Sequence, residues 1–344
     1  MRVVQKLVAA AAVGASLFLA PTLAAAQQTV RIGQATSALS FMPIWGARAL
    51  DTFAPNGLSL TIAVVPGGDP NALAALDSGD IDFAAVGSEA VLRAAAKGQP
   101  FQIVSSLMSK VTLELVVSKE FLEKAGVKPT DPLPKRLAAL KGALVGVSSI
   151  GGAQDTAARW LAAKGGLNPK DDIKVAQVGN PPALLAALEN KRIDAFVLSP
   201  PQGFLAEASG AGVVLVKMGD DFPALANLPF LVLVAKKPAD EKATDLTVRT
   251  LKALRAASAD LVAKPEPTAL AIQSKFFAKA SPESIVSAVK AMASGVADGG
   301  RLNAEGFQNL IAFAKEVGTD LGKDYDAKSM ENDIWTNAFI DKAK

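Results

Sequence analysis

The sequence contains no cysteine and no histidine among its 344 residues. It therefore has no disulfide framework, no Ser-His-Asp triad, no Cys-His dyad and no metal site built on imidazole or thiolate. General acid–base chemistry would fall to carboxylates, to lysine or to the single tyrosine, Tyr325. Enzymes of that kind exist, but this composition favours a binding protein that needs no metal and no cofactor.

Strong charge imbalance and long apolar runs are also missing from most of the chain. The net charge is only +3, so there is no basic excess for nucleic acid and no acidic tail. After residue 26, no stretch reaches the ~18 uninterrupted apolar residues of a membrane span. Neither a nucleic-acid partner nor a membrane-embedded part is expected.

The first 26 residues have a composition of their own. Two basic residues, Arg2 and Lys6, precede an uncharged apolar stretch, and three alanines close the segment at Ala26. This order is typical of a secretory signal peptide over 1–26, with an apolar part too short for a good membrane anchor. A buried N-terminal helix is the alternative, although no polar face accompanies the apolar run. We predict a mature chain from Gln27 in a bacterial periplasm, without a lipid anchor because no cysteine can carry one.

The rest of the chain is predicted to be α/β. Short β-branched runs alternate with Ala- and Leu-rich helical patterns from Val30 to Leu107, as in parallel sheets covered by helices. From Ala239 onward the strand patterns stop, and four or five amphipathic helices follow up to Ala343. Because single cores stop growing near ~250–300 residues, more than one core is expected.

A degenerate repeat relates two parts of the chain about 110 positions apart. Residues 72–84 (ALAALDSGDIDFA) and 184–196 (LLAALENKRIDAF) each predict a helix, a tight turn and a strand that opens with Ile-Asp. Asp82 and Asp194, at those strand starts, are interpreted as turn-stabilising and not as an acid–base pair. Chance similarity between two Ala/Leu-rich helices is the alternative, and the shared Ile-Asp start counts against it.

Two apolar, strand-like runs, 111–119 and 228–236, bracket the second copy of the repeat. Each ends in a lysine and leads into a helical segment. Such runs would serve as the two crossings between the lobes of a discontinuous two-lobe protein. Alternatively, both are ordinary buried strands.

Four junctions between a predicted strand and the next helix carry small polar residues, at 36–40, 66–70, 87–89 and 148–152. Open α/β sheets bind ligands beyond the carboxyl ends of their strands, where loops lead into helix N-termini. The glycines of the second junction allow close approach of the backbone to a ligand. The sequence therefore predicts a small-molecule site built from these loops.

The segment 148–152, Ser-Ser-Ile-Gly-Gly, is the most specific of the four. Serine hydroxyls and unpaired N–H groups at a helix start make a pocket for carboxylate, sulfonate or nitrate. Alternatively, Ser148 or Ser149 simply caps the helix, which is worth ~1 kcal/mol. The chain has no phosphate-loop pattern and no Gly-x-Gly-x-x-Gly after a strand, which argues against nucleotides.

Several side chains near these junctions are candidates for ligand selection. Phe41 and Trp45 fit either an apolar wall or the core. Glu89 fits either an amine-binding role or a partner of the helix dipole. Lys110 fits either a cation facing an anion across the cleft or a solvated surface lysine. Ser199 follows a strand of the second block and is expected to face the cleft.

These segments resemble the periplasmic solute-binding proteins of nitrate/taurine-type ATP-driven importers, a group that includes sulfonate and thiamine-precursor binders. The resemblance covers about 29–338 and depends on three motifs. They are SGDIDFAAVGS at 78–88, GVSSIGG at 146–152 and RIDAF at 192–196, the last leading to two prolines. These motifs are specific for the superfamily and weak for the ligand.

The resemblance implies an α/β fold of two lobes, the type II periplasmic-binding-protein fold, with two crossover strands as the hinge and extra C-terminal helices. Lobe 1 would comprise 27–113 plus 229–344, and lobe 2 would comprise 114–228. A ligand would lie in the cleft between the lobes, which close by hinge motion. The residue patterns and the resemblance together give these candidate ligand-binding residues: Ser37, Phe41, Gly67, Gly68, Gly87, Ser88, Glu89, Lys110, Ser148, Ser149, Gly151, Gly152 and Ser199.

The function implied is capture of a small organic acid, sulfonate or oxyanion by a monomer that is not an enzyme and that delivers it to a membrane permease driven by an ATPase. Thiamine-pyrimidine synthases share the fold, but they are understood to need a histidine and a cysteine-rich motif, and this chain has neither. Two alternatives are a sensory protein that presents ligand to a membrane receptor and an exported enzyme using carboxylates such as Glu89 and Asp69. Neighbouring genes for a permease and an ATPase would favour transport, and a neighbouring gene for a sensor kinase would favour signalling. Formation of a product from the bound compound would favour the enzyme.

Overall fold

The computed structural model describes residues 27–296, 298–322 and 324–343. The predicted signal peptide, 1–26, lies outside the described residues. Within those residues the chain forms ten strands in two five-stranded sheets. The strands are β1 (Gln28–Gln34), β2 (Leu58–Val64), β3 (Phe83–Gly87), β4 (Phe101–Met108), β5 (Glu114–Ser118), β6 (Leu144–Val147), β7 (Lys174–Gln177), β8 (Ala195–Leu198), β9 (Gly212–Lys217) and β10 (Leu231–Lys236).

Helices fill most of the connections between strands and nearly all of the chain after β10. They are α1 (Met42–Leu50), α2 (Asp69–Ser78), α3 (Ser88–Ala96), α4 (Lys119–Ala125), α5 (Leu133–Ala138), α6 (Ala153–Lys164), α7 (Pro181–Glu189), α8 (Gln202–Ala208), α9 (Met218–Asp221), α10 (Pro223–Ala226), α11 (Glu241–Ala263), α12 (Pro265–Phe276), α13 (Pro282–Met292), α14 (Ala304–Glu316) and α15 (Ala338–Lys342). The helices predicted after Ala239 are confirmed as α11 to α15. None of the helices in the described part of the chain is both long and apolar enough to cross a membrane.

The two sheets have the same strand order. The first runs β2-β1-β3-β10-β4 and the second runs β7-β6-β8-β5-β9. In the first, β1 is parallel to β2 and β3, whereas β10 is antiparallel to β3 and β4. In the second, β6 is parallel to β7 and β8, whereas β5 is antiparallel to β8 and β9. The α/β prediction is confirmed, and each sheet holds one antiparallel strand at the same position.

The aspartates of the sequence repeat occupy equivalent places in the two sheets. The Asp82 carboxylate accepts a hydrogen bond from the Arg31 N–H at 2.8 Å, and the Asp194 carboxylate accepts one from the Leu144 N–H at 2.8 Å. Each aspartate thereby joins the start of its strand to the neighbouring parallel strand. These contacts join neighbouring strands and differ from the turn-stabilising role that the sequence analysis expected.

The isoleucines that precede these aspartates pack on glycines of the parallel strands. A Cβ on Gly33 would lie 2.4 Å from Ile81 Cδ1, and a Cβ on Gly146 would lie 2.6 Å from Ile193 Cδ1. Both isoleucines are buried. Chance similarity of two helices would not reproduce the same glycine contact in both sheets, so the repeat is structural.

Trp45 belongs to the core and not to an exposed apolar wall. It is 6% exposed, and its indole N–H donates to the Ala38 carbonyl oxygen at 3.0 Å. Its ring lies 5.0 Å from the Phe276 ring and 5.7 Å from the Phe277 ring, centroid to centroid. These contacts hold α1 against α12 on one face of the first sheet.

The chain passes from the first sheet to the second at 109–113 and returns at 227–230, and these crossing segments are joined by hydrogen bonds. The Leu228 N–H donates to the Ser109 carbonyl oxygen at 2.8 Å, and the Val111 N–H donates to the carbonyl oxygen of Leu225, in α10 just before the return, at 2.9 Å. The two apolar runs noted in the sequence are therefore both crossing segments and parts of buried strands. Each begins at a crossing and continues into a buried strand, β5 or β10.

Gly219 of α9 packs tightly against the first crossing segment, and replacing it with alanine is expected to destabilise the protein. A Cβ there would lie 2.3 Å from the Val111 carbonyl oxygen and 2.7 Å from Lys110 Cγ. Because a backbone oxygen cannot move aside easily, we expect Gly219→Ala to lower the free energy of unfolding by about 1–3 kcal/mol in urea titrations.

Gly46→Ala is the matched control for this prediction. Its added Cβ would meet Leu261 Cδ1 at an ordinary 3.7 Å, and the residue is inside α1. Alanine there is expected to be neutral or to stabilise the protein by up to about 1 kcal/mol. Equal unfolding midpoints for the two variants would show that α9 is not rigidly packed against the first crossing segment.

Candidate functional site

A cleft of about 520 Å³ is lined by residues of both sheets. Its walls are the loops that follow β1, β2 and β3 in the first sheet and β6, β7 and β8 in the second. These are the carboxyl ends of six strands in the parallel parts of the sheets, where open α/β sheets bind ligands. Apolar residues from both crossing segments, α9 and α14 also line the cleft: Val111, Leu113, Met218, Leu228, Phe230, Leu310 and Phe313.

The structure brings twelve of the thirteen residues predicted from the sequence to this cleft. They are Ser37, Phe41, Gly67, Gly68, Gly87, Ser88, Glu89, Ser148, Ser149, Gly151, Gly152 and Ser199. Phe41 is 3% exposed, so it serves the core and the cleft wall at once. Contact of each residue with a ligand stays a prediction.

Lys110 is the residue that the structure does not bring to the cleft. It lines a second cavity, of about 240 Å³, beside the crossing segments. Its ammonium group pairs with the carboxylate of Asp220 on α9. The expectation that Lys110 faces an anion across the cleft is therefore replaced by a structural role between the first crossing segment and α9.

The loop after β6 offers polar groups that its own helix does not use. The N-cap of α6 is Gly152, and no side-chain hydrogen bond caps the described helix start. Simple capping by Ser148 or Ser149 is therefore not the role that the structure gives them. Ser148 Oγ is buried and has no hydrogen-bond partner among the described residues. Since a buried unpaired hydroxyl is unfavourable, a ligand oxygen at this place would stabilise the loop.

A carboxylate of the chain already occupies part of the same helix start. Asp155 Oδ2 accepts a hydrogen bond from the Gly151 N–H at 2.8 Å, and Oδ1 accepts one from Arg159 at 2.7 Å. Gly151 has a φ of +75°, which suits glycine, and this hydrogen bond fixes the loop there. A ligand is thus left with the serine hydroxyls and the first-turn N–H groups that lack an intrahelical acceptor.

Glu89 and Arg93 form a closed pair on the other side of the cleft. The Glu89 carboxylate accepts hydrogen bonds from Arg93 at 2.6 Å and from the Thr319 hydroxyl at 2.5 Å. Glu89 lies in the first turn of α3, as the helix-dipole interpretation requires. Within the described part of the chain, Arg93 is the only positively charged residue that lines the cleft, and Glu89 holds it.

Asp69, the first residue of α2, brings a second carboxylate to the cleft. It follows Gly67 and Gly68, whose φ angles are +92° and +80°. Burial raises the pKa of the Asp69 carboxyl to about 6, and a backbone hydrogen bond from Gly87 and the charge of Arg93 oppose that rise. A Cβ on Gly87 would lie 3.1 Å from Asp69 Oδ2, so the carboxylate lies directly against this glycine.

Four cleft residues were not predicted from the sequence; they lie at the end of β7 and directly after it, and they are Gln177, Gly179, Asn180 and Pro181. The repeat contained the signal that would have found them. Gly179, with a φ of +122°, stands at the same offset from Gly67 as the second Ile-Asp pair does from the first. Leu310 and Phe313 of α14 had no such signal, because this helix lies far along the chain from the strand ends that it covers.

The chain belongs to the NMT1-like family, whose model matches residues 5–278. A comparison with curated protein sequences gives no match. Similar solved structures include a protein from Bordetella bronchiseptica RB50, with 23% identity and a TM-score of 0.75 over 92% of this chain and 96% of that one. Another is the ligand-binding component of an ABC-type import system from Staphylococcus aureus, with 17% identity and a TM-score of 0.70 over 92% and 99%.

The periplasmic nitrate-binding protein NrtA from Synechocystis PCC 6803 is similar as well, with 15% identity and a TM-score of 0.70 over 92% of this chain and 88% of that one. The fold is therefore the periplasmic-binding-protein fold, and the predicted resemblance to nitrate/taurine-type solute-binding proteins is confirmed. Among the described residues, no group of three or more acidic side chains is placed to hold a metal ion.

Proposed function

We propose that this chain is the periplasmic binding component of an ATP-driven importer, which captures a small organic acid, sulfonate or oxyanion and delivers it to a membrane permease. The observation that carries the proposal is a cleft lined by the carboxyl ends of strands from two sheets, which two segments of the described chain connect. The similar proteins from Staphylococcus aureus and Synechocystis are described as a component of an ABC-type import system and as a nitrate-binding protein, which supports this assignment.

The two-lobe arrangement gives the mechanism of capture. Lobe 1 comprises 27–113 plus 229–344, and lobe 2 comprises 114–228, so that each lobe holds one sheet. Changes in a few backbone angles at 109–113 and 227–230 rotate one lobe against the other and close the cleft over the solute. The closed monomer then presents a different surface to the permease and its ATPase than the open monomer does.

Acid recognition follows from the helix starts around the cleft. The first turns of α2, α3 and α6 all contribute to the lining. The N–H groups of a first turn lack intrahelical acceptors and carry partial positive charge, so they attract oxygen-bearing anions. The unpartnered Ser148 hydroxyl adds a donor at the start of α6.

The composition of the chain and the contacts of Glu89 support a receptor over an enzyme. The chain contains no histidine or cysteine, and the Glu89 carboxylate is held by Arg93 and Thr319. A group that serves as general base must be able to reach the proton that it removes. We therefore assign no catalytic residue and no cofactor.

A ligand screen tests the proposal. Native mass spectrometry of the protein purified without refolding would first detect a co-purified solute. Thermal-shift measurements would follow with sulfonates, carboxylates, inorganic oxyanions and heterocycles. An acid at roughly 100 times its Kd stabilises the folded state by about 2.7 kcal/mol, which raises Tm by several degrees.

Recovery of the bound compound separates the receptor from the exported enzyme. We expect the compound to be recovered chemically intact after prolonged incubation with the protein. Formation of a product would contradict the receptor function, and the absence of a shift with every acid would remove the proposed solute class.

A further inference from the structure

Helix α14 is attached to the first sheet by contacts at both of its ends. Near its start, the Phe307 ring stacks on the Trp335 ring at 4.9 Å, centroid to centroid, and the backbone at Trp335 pairs with Ile103 of β4. Just after its end, the Thr319 hydroxyl donates to the Glu89 carboxylate on α3 at 2.5 Å. The helix is therefore fixed to lobe 1.

The last turns of α14 also contact α6, which packs on the second sheet. The Trp160 indole N–H donates to Glu316 Oε2 at 2.8 Å, and the Lys164 ammonium group forms an ion pair with the same oxygen at 2.9 Å. The Trp160 ring lies 5.4 Å from the Phe313 ring of α14 and 4.6 Å from the Phe222 ring of its own lobe, centroid to centroid. Trp160 is 6% exposed, so side chains of both lobes enclose its indole.

These contacts connect the two lobes in addition to the crossing segments. Lys164 lowers the pKa of the Glu316 carboxyl, the Trp160 N–H adds to that effect and burial opposes it, so Glu316 is a charged acceptor at neutral pH. Because α14 is fixed to lobe 1, rotation of the lobes apart at 109–113 and 227–230 must separate Glu316 from both donors. None of these three side chains lines the cleft.

We propose that the contacts of Glu316 with Trp160 and Lys164 form a clasp that holds the two lobes together, and that the clasp sets how readily the cleft opens. This inference rests on the proposed function, because it takes opening and closing of the cleft as the working motion. The three are positioning residues that act through the lobes and not through the solute. A hydrogen bond to a charged acceptor is strong enough to change the ratio of closed to open molecules by about tenfold.

The absence of cysteine from the chain allows a direct distance measurement between the lobes. Ala74 of α2 and Ala186 of α7 are exposed and occupy equivalent positions in the repeat. Their helices follow the edge strands β2 and β7, whereas the chain crosses between the sheets after the opposite edge strands, β4 and β9. Spin labels on Ala74→Cys and Ala186→Cys therefore report opening, and double electron–electron resonance measures their separation without any ligand.

Two substitutions in this labelled protein break the clasp in different ways. Glu316→Ala removes the shared acceptor, and Trp160→Phe removes the N–H while keeping an aromatic ring. We expect each to raise the ratio of longer to shorter separations by about tenfold. Lys315→Ala is the matched control, since this exposed neighbour on α14 forms its ion pair with Asp324, within lobe 1, at 3.0 Å. It should leave the distances unchanged.

Hydrogen exchange distinguishes opening of the lobes from detachment of α14. The amides of α14 should stay protected in Glu316→Ala, because the contacts with the first sheet remain. The inference fails if both clasp variants keep the parent distances, if Lys315→Ala shifts them equally, or if α14 loses its protection. These measurements use the protein without ligand, so each of those results leaves the proposed function to the ligand screen.

Discussion

Replacing both Ser148 and Ser149 with leucine is expected to lower the affinity for any acid found in the ligand screen by roughly 100-fold or more. The substitution removes two hydroxyls from the loop that precedes α6 and fills the space beside Gly152, whose Cβ position lies 2.4 Å from Ser149 Oγ. The fold should persist, because both serines lie in a loop at the cleft and neither caps α6. We expect the free energy of unfolding to change by less than about 1 kcal/mol.

Calorimetric titration measures the affinity of this double variant, with Ser274→Leu as the matched control. Ser274 is an exposed serine on α12, its hydroxyl bonds only to the Ala271 carbonyl oxygen, and it does not line the cleft. That control should bind like the wild type. Unchanged affinity in the double variant would show that the 148–152 loop is not the acid-binding part of the cleft.

Glu114→Gln should remove a loss of stability that the wild-type protein undergoes as pH rises. Glu114 is 5% exposed, and its Oε2 has no hydrogen-bond partner among the described residues. Burial raises the pKa of its carboxyl from 4.5 to about 7, the nearby Glu207 and Asp220 add to that rise, and Lys217 opposes it. The carboxyl therefore stays protonated in the folded protein over a range where it ionises in the unfolded chain.

The direction of the pH effect follows from these protonation states. Below about pH 4.5 both states hold the proton, and between about 4.5 and 7 only the folded state does, so stability falls through this window. Above it the loss amounts to roughly 3 kcal/mol, which glutamine at position 114 avoids. Chemical unfolding at a series of pH values would measure the difference, with Glu123→Gln, an exposed residue of α4, as the control.

Asp69 contributes a fall in the same direction at somewhat lower pH, because the pKa of its carboxyl is also raised. The decisive quantity is therefore the difference in the free energy of unfolding between Glu114→Gln and the wild type at each pH. Parallel profiles for the two proteins would mean that Glu114 does not keep its proton in the folded state.

The sequence predicted the parts of the structure that local patterns encode. Alternating β-branched and Ala/Leu-rich segments gave the strands and helices of the first sheet, and the repeated Ile-Asp start located the same strand in both sheets. The loops that line the cleft were found because a ligand site at the strand ends is a general property of such sheets. Twelve of the thirteen candidate residues are at the cleft for this reason.

The remaining features depend on tertiary contacts that no local pattern records. Lys110 pairs with Asp220, which lies 110 positions later in the chain, after the last strand of the second sheet. Arg93 forms an ion pair with Glu89, and α14 contributes residues to the cleft although it lies far along the chain. The electrostatic environment of a bound ligand therefore depends on contacts that local sequence patterns do not record.

Because β10 lies between β3 and β4, the first sheet can be completed only after the chain has passed through the second sheet and returned. The second sheet is made from one continuous stretch, Glu114 to Lys217, and all its strands are present once that stretch exists. The first sheet stays split, with β4 separated from β3, until the chain has returned from the second sheet and supplied β10. Contacts so distant in sequence form late, so we expect the pairing of β10 with β3 and β4, and with it the completion of lobe 1, to follow the pairing of the strands of lobe 2.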